Sequence, residues 1–186
     1  MAFAIGKGRR RLAYKPAGTS PAGRAGMRYS LRRWSVGHAR FLERVYGLFA
    51  DMLLALHWLW AFIGYRRVER PMLFVERNLK GVMFDCRMCG QCILSQTGMS
   101  CSMNCPKALR NGPCGGVRPD GNCEVEKDMP CVWVEAWRGA QQMKGGDSIL
   151  QVQKPVDQSL RSTSAWLRAT ARRAAEKAAD MGANHG

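Results

Sequence analysis

Between residues 35 and 64 the apolar side chains recur at three- and four-residue steps, from Phe41, Leu42, Val45 and Leu48 to Leu56, Leu59, Trp60 and Ile63. That spacing is the face of an α-helix. Arg40, Glu43, Arg44 and Asp51 take the other side in the first half, but Leu54, Trp58 and Phe62 make the second half apolar all round. Such a helix is buried in its own protein or covered by another, and in a chain of 186 residues the expectation is a partner protein. The most apolar run, 52–65, holds 14 residues and contains His57. A membrane span needs roughly 20, so the run predicts a buried helix rather than a membrane anchor. His57 has no other metal-binding residue within a turn and is expected to be packed and hydrogen-bonded. Gly64 is expected to end the helix, and Pro71 to punctuate before a second helical stretch at 72–83 that carries Leu73, Val75, Leu79 and Val82.

From residue 84 the periodicity stops and turn sequences rich in Gly and Pro replace it. NCPKALRNG (104–112) predicts one short helix, with Pro106 near its start and Gly112 past its end. VRPDGNCEV (117–125) predicts a short β-hairpin across Asp120-Gly121. MPCVWVEAWRG (129–139) predicts a closing helix over 130–138 ended by Gly139, with Trp133 and Trp137 as its core residues. Beyond a polar linker, the Ala-rich stretch 162–180 predicts a helix capped by Ser162, Thr163 or Ser164. Alone it would be marginal, so it is expected either to dock on a partner or to fray.

The fold class expected is therefore mainly α. Long N-terminal helices precede a small loop-rich cysteine metal-cluster domain with a short β-hairpin, and a C-terminal helix follows. The units are a basic, disordered tail (1–34), a helical partner-docking region (35–83), an eight-cysteine domain (84–139) and a linker with the C-terminal helix (140–186).

Charge adds little to this division. The formal net charge is +15, yet residues 1–34 hold nine Lys or Arg and no acid, leaving +6 for the rest. A segment so basic and poor in apolar residues reads as a solvated tail or an arm on an acidic protein, ahead of nucleic acid. Met27 would also make a natural start of translation. No apolar signal region follows the basic N-terminus, and a cytoplasmic location is expected.

Cysteine changes the picture. All eight lie within residues 86–131, at Cys86, Cys89, Cys92, Cys101, Cys105, Cys114, Cys123 and Cys131. A loop-rich segment of this size cannot hold itself together by core burial, so something must staple it. Disulfides need an oxidising compartment. Structural zinc takes four ligands in a tetrahedron, generally as two separated pairs or with histidine, and His38, His57 and His185 all lie outside the segment. Cys86-x2-Cys89-x2-Cys92 opens like the bacterial ferredoxin run, and Cys101-x3-Cys105-Pro106 reproduces its Cys-Pro closure a little later. Three thiolates from one turn of chain suit the separate iron corners of a cubane cluster, and eight fit two [4Fe-4S] clusters with none left over. Zinc, or one cluster plus zinc, is the alternative. The partition is open, since Cys105 or Cys131 would serve equally to close the first trio. Gly90 in the loop allows close backbone approach, and Lys107, Arg110 and Arg118 among the cysteines would raise a cluster's potential or simply face solvent. There is no dinucleotide fingerprint, phosphate loop, nucleophile elbow or HExxH zinc motif, and no paired acid and base, so no catalytic residue is assigned.

The segment 85–137, with its CxxCGQC run, CPKxLRNGPCGG block and PDGxCEV turn, resembles the methylenetetrahydrofolate reductase C-terminal family. The likeness extends over roughly 28–170. It implies an accessory subunit of a reductase that converts 5,10-methylenetetrahydrofolate to 5-methyltetrahydrofolate at a flavin. That flavin and the folate site belong to a TIM barrel of roughly 250 residues, so both are expected on a partner subunit, with this chain relaying electrons or acting as a structural scaffold.

Overall fold

The computed structural model describes residues 23–183, so the GKGRRR run and His185 lie outside it. The described residues are mainly helical and contain no strand. Six α-helices are present: α1 (Gly23–Gly37), α2 (Ala39–Ala55), α3 (His57–Ile63), α4 (Tyr65–Phe84), α5 (Val132–Ala140) and α6 (Ala165–Ala183). Short 3-10 turns occur at Ser102–Asn104, Gly146–Leu150 and Gln158–Leu160.

The N-terminal boundaries differ from the pattern in the sequence. Residues 23–34, expected in the tail, form most of α1, which packs on α4 and α5. Ser35 is fully buried there and donates from its hydroxyl to the Met83 carbonyl at 2.9 Å. The single helix expected over 35–64 is broken at His38 and again at Leu56. His38 directs its backbone N–H and its ring Nδ1 to the Trp34 carbonyl, and its ring stacks on Trp34. At the second break the Leu53 carbonyl takes the Trp60 indole N–H (3.1 Å) and the axes of α2 and α3 differ by 51°. No single helix among the described residues is long and apolar enough to cross a membrane; α2 and α3 together have the length and composition, but with that bend between them. His57 is packed as expected, its Nδ1 2.6 Å from the Tyr65 hydroxyl.

Pro71 does not start a helix; it lies inside α4. The chain turns at Gly64, whose carbonyl accepts from the N–H groups of Arg67 and Val68. Helix therefore begins at Tyr65 and carries Pro71 along, at the loss of one ladder hydrogen bond. The buried side chains of α4 are Val68, Glu76, Lys80 and Phe84, a seam in steps of four or eight with a charged pair at its centre.

Helix α6 docks on its own chain. Trp166 and Leu167 are buried against α2 and α4, and Phe49 meets the Trp166 ring edge-on at 4.6 Å. Burying two such side chains contributes on the order of 1.5–3 kcal/mol each, which answers the weakness of the Ala-rich sequence. Ser164 is the cap, its Oγ accepting from the Leu167 N–H.

The cysteine segment also departs from expectation in detail. Residues 104–112 are not helical: only Ser102–Asn104 forms a 3-10 turn, and Ala108 at φ +51° interrupts any continuation. Gly112 serves clearance, since a Cβ there would stand 2.5 Å from the Trp133 ring. The hairpin reduces to a turn, with Gly121 N–H to Arg118 O, Arg118 N–H to Asn122 O, and one bridge between Asn122 and Pro130. Gly139 lies within α5 instead of ending it. Its Cα faces Gly98, where an added Cβ would meet the Gly98 carbonyl at 2.0 Å. Trp133 is core, whereas Trp137 is half exposed.

Candidate metal centre

The loop that carries the first three cysteines leaves the end of α4. Asp85 adopts a left-handed conformation (φ +49°), and the Cys86 N–H returns to the Lys80 carbonyl at 3.3 Å. Met88 (φ +48°) and Gly90 (φ +74°) coil the chain again, so that Cys86, Cys89 and Cys92 come to one side of a tight loop. Cys101 arrives from the following turn. Asn104 fixes that turn by donating to the Phe84 carbonyl (2.9 Å) and accepting from Arg87 Nε (3.3 Å).

Cys86, Cys89, Cys92 and Cys101 line one cavity of about 380 Å³, part of it open to solvent, together with Lys80 and Arg110. The cysteine that joins the first trio at this wall is thus Cys101, and neither Cys105 nor Cys131 lines it. The Cys86 thiol donates to Met88 Sδ at 3.7 Å, and the interaction of the neighbouring Cys86 and Cys101 thiols holds Cys101 below its ordinary range and, with burial, pushes Cys86 well above it. The Met88 N–H points to Cys86 Sγ at 3.4 Å.

The remaining four cysteines lie away from this cavity. Cys105 follows the 3-10 turn, and Cys131 precedes α5, buried beside Trp133 and Ala136. Cys123 is tied by its N–H to the Met129 carbonyl. Cys114 is exposed, with its thiol 3.6 Å from a Glu124 carboxylate oxygen. The hydrogen bond and ion pair between Lys107 and Glu124 raise the lysine's pKa and lower the glutamate's. Lys107 is therefore not simply solvent-facing. Arg118 stays at the surface near Asp120. Among the described residues no three Cys, His, Asp or Glu side chains converge on a single point as ligands of one ion would.

Several groups around the cavity are invisible in the sequence pattern. Glu76 and Lys80, 1% and 2% exposed, form a 2.6 Å ion pair. The other Glu76 oxygen accepts from Ser164 Oγ (2.7 Å) and the Trp166 N–H (3.4 Å), and Lys80 Nζ lies 4.7 Å above the Trp166 ring. Burial opposes the Lys80 charge, but Cys92, Tyr46 and Glu76 together outweigh it and raise the lysine above its ordinary range. Arg32, assigned by charge counting to a solvated tail, is half-buried, and that burial lowers its pKa against the pull of Asp85 and Cys101. An (i, i+4) Glu–Lys spacing was the one available signal for the buried pair, and it is far commoner on solvated helix faces.

The loop is also strapped from outside. Arg168 Nη1 donates to the Gly90 carbonyl (2.6 Å), Arg110 Nη2 to the Gln91 carbonyl (3.0 Å), and the Ser162 N–H to the Met88 carbonyl (2.9 Å). A Cβ on Gly90 would stand 2.0 Å from the Leu160 carbonyl. The close approach that needs this glycine is therefore by the chain's own C-terminal segment.

Comparison with known proteins gives one match. The sequence profile described as methylene-tetrahydrofolate reductase C terminal matches residues 65–159, which include α4, all eight cysteines and α5. No curated protein and no solved structure matches. The matched span covers just over half of the 186 residues and every cysteine placed above, so the chain belongs to the methylene-tetrahydrofolate reductase C-terminal family.

Proposed function

We propose that this chain is an accessory iron–sulfur subunit of a methylenetetrahydrofolate reductase complex. In this reading it passes electrons, one at a time, between an external donor and the flavin of a separate TIM-barrel subunit in folate metabolism. The observation that carries the reading is the convergence of Cys86, Cys89, Cys92 and Cys101 on one cavity. A mononuclear zinc site would bring four sulfurs to within about 2.3 Å of one point. Here the four thiols line one space without meeting at a single point, which favours the several irons of a cluster over one ion. Soft thiolate donors are the ligands such a cluster takes. When bound, the cluster supplies one-electron chemistry. The chain's own residues hold the sulfurs, donate the Met88 N–H to Cys86, and place Lys80 and Arg110 at the wall. Cys105, Cys114, Cys123 and Cys131 are proposed as the ligands of a second centre. Docking on the barrel subunit is supported by the exposed apolar residues of α2 and α3, with Trp58 67% and Phe62 85% exposed.

The test is iron, acid-labile sulfide and zinc per chain, on protein purified anaerobically with its flavin partner. Iron and sulfide in equal amounts, with none of the zinc, are expected. A complex that contains flavin but no iron would overturn the electron-transfer role. A scaffold reading is favoured by one feature: the cavity joins α4, the cysteine loop, Arg110 and the start of α6, so any occupant would staple segments distant in sequence. Addition of dithionite separates the two, because a zinc scaffold shows no bleaching of visible absorbance.

A further inference from the structure

Arg110 stands apart from the other cations near the cysteines because only one of its nitrogens is accounted for within the protein. Nη2 donates to the Gln91 carbonyl, in the middle of the loop between Cys89 and Cys92. Nε and Nη1 are both buried and have no hydrogen-bond partner, and the side chain lines the four-cysteine cavity. A guanidinium does not lose its proton in a protein, and a buried charge without a partner is strongly destabilising. The other cation at the wall, Lys80, already has Glu76. The cavity therefore carries one uncompensated positive charge with two donors to spare.

The occupant's charge is opposite. Any metal centre held by four thiolates is net anionic, because the ligand charge exceeds that of a zinc ion or of a four-iron core, and a reduced cluster is more so. We propose that Arg110 is the counter-ion of the centre held by Cys86, Cys89, Cys92 and Cys101. Its Nη2 positions the loop, while Nε and Nη1 offer hydrogen bonds to the centre's sulfur atoms. Hydrogen bonds and positive charge at the sulfurs favour the reduced form, so Arg110 raises the midpoint potential and slows loss of the centre. This inference rests on the cluster reading for its redox consequence, but the counter-ion role holds for zinc as well.

The experiment compares Arg110→Met and Arg110→Lys with the unaltered full chain, each purified anaerobically with the flavin partner. Metal per chain, the rate of metal loss to a chelator, and the midpoint potential by dithionite titration are measured, with circular dichroism to establish folding. Arg110→Met is expected to shift the one-electron equilibrium toward the oxidised form by about ten-fold, or 59 mV to lower potential, and to speed metal loss. Arg110→Lys keeps the charge and should stay near the unaltered protein in both. If Arg110→Met cannot be loaded while Arg110→Lys can, the proposal stands. Equal potential and retention in all three, or equal loss from both variants, overturns it. If the unaltered protein holds zinc and no iron, the electron-transfer reading fails by itself, and the chelator rates still decide the role of Arg110.

Discussion

Glu76 and Lys80 form an (i, i+4) pair of a kind common on solvated helix faces, and here it is buried. Each charge sits where an apolar residue would continue the α4 seam, and each is satisfied by α6: Ser164 and Trp166 on the carboxylate, the Trp166 ring beside the ammonium. Removing one partner strands the other. Lys80→Met is expected to lower the stability of the chain by about 3–5 kcal/mol, read from the midpoint of denaturant unfolding. Adding Glu76→Gln should restore most of that, since a neutral amide oxygen still accepts from Ser164. A loss below about 1 kcal/mol in Lys80→Met would show that the pair has no structural role. The gathering of Cys86, Cys89 and Cys92 was legible because their spacing is written in nearly consecutive residues. Glu76, Lys80 and Arg110 were not, because what distinguishes them is burial against residues tens of positions away.

Between elements, the contact that sets α5 against the cysteine segment is a meeting of two glycine backbones. Gly98 is left-handed (φ +57°), and its added Cβ would meet the Ala136 carbonyl and the Ala140 nitrogen at 2.3 Å; Gly139 faces it from inside the helix. A glycine within a helix ordinarily lowers stability by roughly 0.5–1 kcal/mol relative to alanine. Gly47→Ala in α2, where nothing lies within 4 Å, should accordingly raise the thermal midpoint. Gly139→Ala should lower it, by an overpacking cost of about 1–3 kcal/mol. The same sign for both substitutions would mean the two backbones separate easily. In the sequence Gly139 looked like a helix stop, since a stop and a clearance use the same residue. The start of α4 differs from expectation for a related reason: Pro71 reads as a breaker in the sequence, whereas the Gly64 turn already starts the helix at Tyr65. Mainly helical character, the break at Gly64 and the Ser164 cap were all legible, because each rests on spacing or capping within a few residues.

At the scale of the molecule, two groups of apolar side chains are exposed among the described residues. Leu48, Trp58 and Phe62 project from α2 and α3, and Phe74, Val75, Leu79 and Val82 from α4. Large exposed apolar patches mark interaction sites, and these side chains are the ones that the proposed docking would cover. Trp58→Glu with Phe62→Glu is expected to abolish co-purification of the flavin subunit while leaving helical content and metal content unchanged. Retained co-purification would move the docking surface elsewhere. The disposition of the straps has a consequence in time. Arg168, Ser162 and Leu160, which close on the Met88–Gln91 loop, are made after the four thiols beside that loop. During synthesis the cavity accordingly exists first as an open bowl. Whatever fills it meets a wider mouth before α6 folds down than after, when Ala165 at the start of that helix forms part of the wall.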